Sequence, residues 1–135
     1  MKEFIFVYGT LMAKINHKMH FKFRQYTSFV GQGFTYGKLY LVSYYPALIL
    51  DNSQKNIVKG EVYQIENHNL FKWLDKYEGL FDKPPLYFKQ KIKVFLYPKQ
   101  VSLLAWCYIY ARSSKKLIFL EKGDFYFFWQ NSHAS

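Results

Sequence analysis

The sequence predicts an α+β fold, six or so strands and two helices, in which the strands favour a small barrel that is closed or nearly closed. Three observations predict it. Six or so short runs rich in aromatic and β-branched residues are separated by turn residues, the pattern of many short strands. Gly31, Gly33 and Gly37 fall inside one such run, where glycine marks the bulges and sharp bends with which a small barrel turns its corners. One strongly amphipathic helix enters late, after most of the strands, as α+β arrangements allow. The 135 residues are enough for one hydrophobic core and too few for two, so residues 1–135 are expected to form a single domain.

In chain order, Glu3 to Tyr8 is short, aromatic and β-branched and reads as a buried strand that Gly9 stops. Asn16 to Arg24 allows a short helix. Phe29 to Leu41 alternates around its glycines, Tyr45-Pro46 breaks the run, and Asp51-Asn52-Ser53 turns the chain into a strand from Val58 to Ile65. Leu70, Trp73, Leu74 and Tyr77 then recur at helical spacing, with Asn67 or Asn69 available as the cap and Gly79 as the stop. Phe81 to Pro85 is a loop. Tyr87 to Tyr97 alternates lysines 89, 91 and 93 against Phe88, Ile92 and Val94, and Pro98-Lys99-Gln100 turns it into a strand from Ser102 to Tyr110. The apolar tail from Leu117 to Trp129 must be docked, as a strand or helix covering the barrel, or else exposed as an interface.

Composition narrows the classes of function. Half the residues are hydrophobic and only 7 are Gly and 4 Pro, which argues against disorder. The single cysteine, Cys107, excludes an intrachain disulfide framework and a Cys-rich zinc site. The apolar run after Met1 is too short for an export signal, and no stretch is long enough to span a bilayer, so the expected location is the cytoplasm, with no membrane partner. The net charge of +10 raises a nucleic-acid reading, in which lysines meet phosphates and aromatics stack on bases. However, only Arg24 and Arg112 are arginines, the residue suited to bidentate recognition, and the lysines are scattered along a solvated surface. No nucleic-acid partner is therefore expected.

Two places offer chemistry. Metal sites are poor, since His17 and His20 lack a third ligand in register and His68 and His133 stand alone. Cys107, between Trp106 and Tyr108 in a strand, reads as a packed thiol. The first place is Tyr8-Gly9-Thr10-Leu11, where a strand ending in glycine either makes a simple turn or points successive N–H groups into one concavity that binds a carboxylate or oxyanion. The second is Leu74 to Gly79. The apolar face puts Asp75 on the outer, solvated side of the helix. Glu78 lies at the negative end of the helix dipole, and partial burial among aromatics would raise its pKa further, toward that of a general acid and base. A plain surface glutamate fits the same pattern.

Together these segments form an ordered set: Tyr8-Gly9-Thr10-Leu11, Tyr45-Pro46, Val58-Lys59-Gly60-Glu61-Val62-Tyr63, Leu74-Asp75-Lys76-Tyr77-Glu78-Gly79, Tyr87, and Trp106-Cys107-Tyr108-Ile109-Tyr110. In order and spacing the set resembles the gamma-glutamylcyclotransferase-like family, in particular the subgroup of gamma-glutamylamine cyclotransferases and small bacterial members. The resemblance runs from residue 4 to about residue 110, and Gly123-Asp124 continues it. It implies a small mixed β-barrel flanked by two helices, with a cavity at one end, and an enzyme that closes a γ-glutamyl group to 5-oxoproline and frees the attached amine. Glu78 matches the family's catalytic glutamate. Tyr8, Gly9, Thr10 and Leu11 match the substrate-holding loop, and Tyr87 matches a tyrosine that walls the pocket, donates a hydrogen bond, or simply packs in the core. Where relatives often carry arginine two residues later, this chain has Lys89. The resemblance implies no metal or organic cofactor, a small γ-glutamyl substrate as partner, and a monomer or weak homodimer. Two rivals remain at this level: a non-catalytic small-molecule binder with the same pocket, and a basic barrel for single-stranded nucleic acid.

Overall fold

Strand pairing closes the chain on itself. The computed structural model describes residues 2–98 and 101–133; the turn expected at Lys99 and Gln100 and the side chain of His133 lie outside the described residues. The strands are β1 (Phe4–Val7), β2 (Thr27–Val42), β3 (Tyr45–Leu50), β4 (Ile57–Ile65), β5 (Tyr87–Tyr97), β6 (Val101–Tyr110) and β7 (Ile118–Phe119). The helices are α1 (Lys18–Arg24), α2 (Leu70–Tyr77) and α3 (Phe125–His133), with a single 3₁₀ turn at Ala13–Ile15. The barrel runs β2-β4-β1-β6-β5 and returns to β2 through Gln32, Gly33 and Phe34, which pair Tyr97, Leu96 and Phe95. All these ladders are antiparallel except β1 on β6, so the barrel is mixed, as expected.

The long strand β2 explains how one end stays open. Its first part pairs with β4, with a bulge between Phe29 and Gly31, and its last part leaves the barrel to pair with β3 and β7. Ile92, Val94 and Leu96 of β5, Val58 and Val62 of β4, and Phe6 of β1 are buried in the core. Ile92, Val94 and Leu96 thus keep the period of two on the inward face of β5, but Phe88, expected with them, is exposed, and of the lysines on the other face Lys91 and Lys93 are open while Lys89 is largely covered.

Two elements differ from expectation. Tyr45-Pro46 does not break the chain; it begins β3, and Leu41 pairs Pro46 across a tight hairpin. Proline is tolerated because β3 is an edge strand of that ladder. The tail adds a third helix: Asp124 Oδ1 accepts the N–H of Tyr126 at 3.0 Å, and Phe125 packs into the core with no exposed surface. His17 Nδ1 caps α1 by accepting the Met19 N–H, and Asn67 Oδ1 accepts the N–H of Asn69 ahead of α2. Among the described residues no helix is long and apolar enough to cross a membrane.

Candidate active site

At the open end of the barrel lies a cavity of about 200 Å³, below the about 300–1,000 Å³ typical of pockets for drug-sized ligands and therefore suited to a small one. Tyr8, Gly9, Thr10, Leu11, Glu78 and Tyr87 all line it, although the sequence spreads them over 80 positions. Tyr45, Pro46, Tyr77, Leu86 and Tyr108, with Phe6 and Val7 of β1, complete its walls.

The loop after β1 is held from behind. Met12 N–H donates to Gly9 O at 3.0 Å, Ala13 N–H donates to Glu61 Oε1 at 2.7 Å, and His20 Nδ1–H donates to Leu11 O at 2.7 Å. Leu11, Met12 and Ile15 are buried beneath it. Glu61 itself is buried on β4 and also accepts the Tyr63 hydroxyl at 2.8 Å. The N–H groups of Gly9, Thr10 and Leu11 themselves make no hydrogen bond among the described residues. Glycine is required at position 9 because a Cβ there would lie 2.6 Å from Pro46 Cγ. His17 and His20, the nearest approach to a metal pair in the sequence, thus serve as a helix cap and a loop tether.

Glu78 ends α2. Its N–H still donates to Leu74 O at 2.9 Å, and Gly79 at φ +75 takes the left-handed conformation that turns the chain away. The carboxyl reaches the cavity, where it makes no hydrogen bond or ion pair among the described residues. Burial pushes its pKa from 4.5 to about 7. Its charge acts in turn on its neighbours: the hydroxyls of Tyr8, Tyr87 and Tyr108 and the thiol of Cys107 are pushed up, first by burial and then in part by Glu78. Cys107 is a buried, unreactive thiol.

The aromatic walls are fixed by their hydroxyls. Tyr8 Oη–H donates to Tyr108 O at 2.6 Å and accepts the Leu48 N–H at 3.3 Å, which ties β1, β6 and β3 together. Tyr87 Oη–H donates to Pro46 O at 2.6 Å, so its hydroxyl braces β3 and its ring walls the pocket. At the rim, Thr10 Oγ1 and Tyr77 Oη stand 3.5 Å apart.

Asp75 departs from expectation. It is not solvated; Oδ1 accepts the Tyr108 hydroxyl at 2.7 Å and Oδ2 accepts Lys89 Nζ at 3.1 Å, with both charged side chains largely buried. Lys89 is committed there and does not line the cavity. Tyr45, Tyr77 and Tyr108 were not singled out as site residues in the sequence. The available signal was Tyr45-Pro46 itself, read there as a break in the chain.

The family model described as "Gamma-glutamyl cyclotransferase, AIG2-like" matches residues 5–129. A Methanocaldococcus jannaschii protein provisionally named a gamma-glutamylcyclotransferase is 30% identical over 124 residues, which cover 91% of this chain and 95% of the relative. Among solved structures, an AIG2-like protein from Mus musculus superposes with a TM-score of 0.71 at 26% identity, over 89% of this chain and 86% of that one. YkqA from Bacillus subtilis shares the fold at a TM-score of 0.76 and 23% identity; this chain is covered entirely and spans 44% of YkqA. On the family match over nearly its whole length, the chain belongs to the gamma-glutamyl cyclotransferase, AIG2-like family, as a cyclotransferase-like enzyme.

Proposed function

We propose that this protein cyclises a small γ-glutamyl compound, with Glu78 moving the proton. The α-amine of the glutamyl group attacks its own γ-carbonyl carbon, the amide C–N bond breaks, and 5-oxoproline and a free amine leave. Atoms balance without water or any other co-reactant. An amine attacks only when neutral, so a base is needed; Glu78 accepts the proton from the ammonium and delivers it to the departing nitrogen. A carboxyl with a pKa of about 7 is suited to both halves of that transfer at neutral pH.

The Gly9, Thr10 and Leu11 N–H groups hold the glutamyl end and stabilise the oxyanion of the tetrahedral intermediate, a task for preorganised donors that have no other partner. Because the attack is intramolecular, the aromatic walls chiefly hold one folded conformer of the substrate. The single observation that carries this reading is the unpaired Glu78 carboxyl and the unpaired donor loop lining the same small cavity. It is tested by following 5-oxoproline with the protein and a panel of γ-glutamyl amines, γ-glutamyl dipeptides and glutathione. Release from at least one is expected, and its best substrate identifies the leaving amine; folded protein that turns over none of them would overturn the reading.

A further inference from the structure

Glu78 can act as described only if α2 presents it to the cavity at a fixed depth, and α2 is just Leu70–Tyr77, about two turns. A helix this short is held by what it packs against. Phe71, Asp75 and Glu78 are spaced i, i+4, i+7, so they form one stripe along it. That stripe meets β5 and β6, where Lys89 and Tyr108 are direct cross-strand partners. Adjacency across the ladder brings the Tyr108 hydroxyl to one Asp75 oxygen at 2.7 Å and the Lys89 ammonium to the other at 3.1 Å. The same ammonium lies 3.6 Å from the centre of the Phe71 ring, one turn earlier on the stripe, and 5.4 Å from that of Trp106. One lysine thus grips two successive turns of the helix, and the next residue on the stripe is Glu78.

We infer that Lys89 is a positioning residue: through Asp75 and Phe71, with Tyr108 as the second strut, it staples the last turns of α2 to the barrel wall and so sets where the Glu78 carboxyl stands. For its effect on turnover the inference rests on the reading of Glu78 given above; for its effect on the helix it does not. The side chains of Lys89 and Asp75 are 18% and 16% exposed, so the pair lies outside the class of solvated surface pairs that contribute little. Lys89 does not line the cavity, and a defect in it therefore reaches the reaction through Asp75, by way of the helix or of Tyr108.

The test compares wild type, Lys89→Met and Lys89→Arg. Methionine keeps the stem and removes the cation; arginine restores a cation that can reach Asp75 and lie against Phe71. The methionine variant should lose about tenfold to 10²-fold in kcat with KM held within about twofold, the loss expected when a reacting group is displaced by a fraction of an ångström to an ångström. Arginine should recover most of it. Amide hydrogen exchange supplies a readout that needs no turnover: the N–H groups of Glu78, Gly79 and Leu80, bonded to Leu74, Lys76 and Asp75, should exchange faster in Lys89→Met while barrel amides stay protected. Unchanged kcat, a loss confined to KM, arginine no better than methionine, or unaltered exchange at these three amides would overturn the staple. A wild type without turnover would sink the reading of Glu78 alone, and exchange would still decide the staple.

Discussion

At the level of single residues, Glu78 stands half-buried with no partner among the described residues, and that has a cost measurable without any substrate. Its folded pKa of about 7 lies above the ordinary 4.5. Between those values the folded chain holds a proton that the unfolded chain has released, so stability falls as pH rises from about 4.5 to about 7 and then levels. Glu78→Gln removes the titration. The variant should match wild type near pH 4 and exceed it at pH 8 by on the order of 2–3 kcal/mol at most, as read from denaturant melts at the two pH values. Equal stability at pH 8, or a less stable variant, would mean that the carboxyl is solvated. Stability gained where activity is lost is the trade-off expected of a reacting group kept in an unfavourable setting. Glu78 was legible in the sequence because a glutamate between an amphipathic run and a stop glycine is a local pattern. Asp75 was not, because counting apolar positions on a helix ignores carboxylates, and its partners Lys89 and Tyr108 lie 14 and 33 residues away.

Among the elements, strands and helices with strong periodicity are readable; the start of β3 is misread as a break, and the tail is read as docked without its helix being told from a strand. The β2–β3 hairpin turns at Ser43, with φ 55, and Tyr44, which lack the Asn-Gly or Asp-Gly pair that marks a two-residue hairpin turn. Its proline is acceptable only because the strand is at an edge, a fact of topology. The tail likewise shows no clean period, since α3 buries chiefly one ring while its other aromatics remain partly open. Tertiary contacts define it: Leu120 N–H donates to Leu39 O at 2.8 Å, and Lys59 N–H donates to Gly123 O at 2.7 Å. Phe125 then fills the core. Phe125→Ala should cost about 3–5 kcal/mol in the midpoint-derived unfolding free energy, the range for deleting a buried ring. A loss below about 1 kcal/mol would show that the tail helix is only loosely attached.

For the molecule as a whole, a barrel could be anticipated from many short strands with internal glycines, but its order could not. Closure depends on pairings such as Ile5 with Trp106 and Gly33 with Leu96, which alternation within a strand cannot specify. The same closure assembles the cavity, bringing the end of β1, the start of β3 and the end of α2 to one opening. The lysines lie mostly on the exposed surface, whereas the cavity is lined by aromatic and aliphatic side chains around one carboxyl and, among the described residues, by no lysine or arginine. In the proposed reaction, long-range attraction for anions and short-range chemistry at Glu78 would thus be separate properties. The measurement that tests the account most directly is the rate of 5-oxoproline release as a function of pH for wild type and Glu78→Gln. The account predicts that wild-type kcat/KM climbs about tenfold per unit below pH 7 and levels above it, as the Glu78 carboxyl loses its proton. It also predicts a loss of about 10²–10⁴-fold in the glutamine variant. A glutamine variant within about tenfold of wild type, with the same pH profile, would contradict it, because the proton would then be moving by some other group.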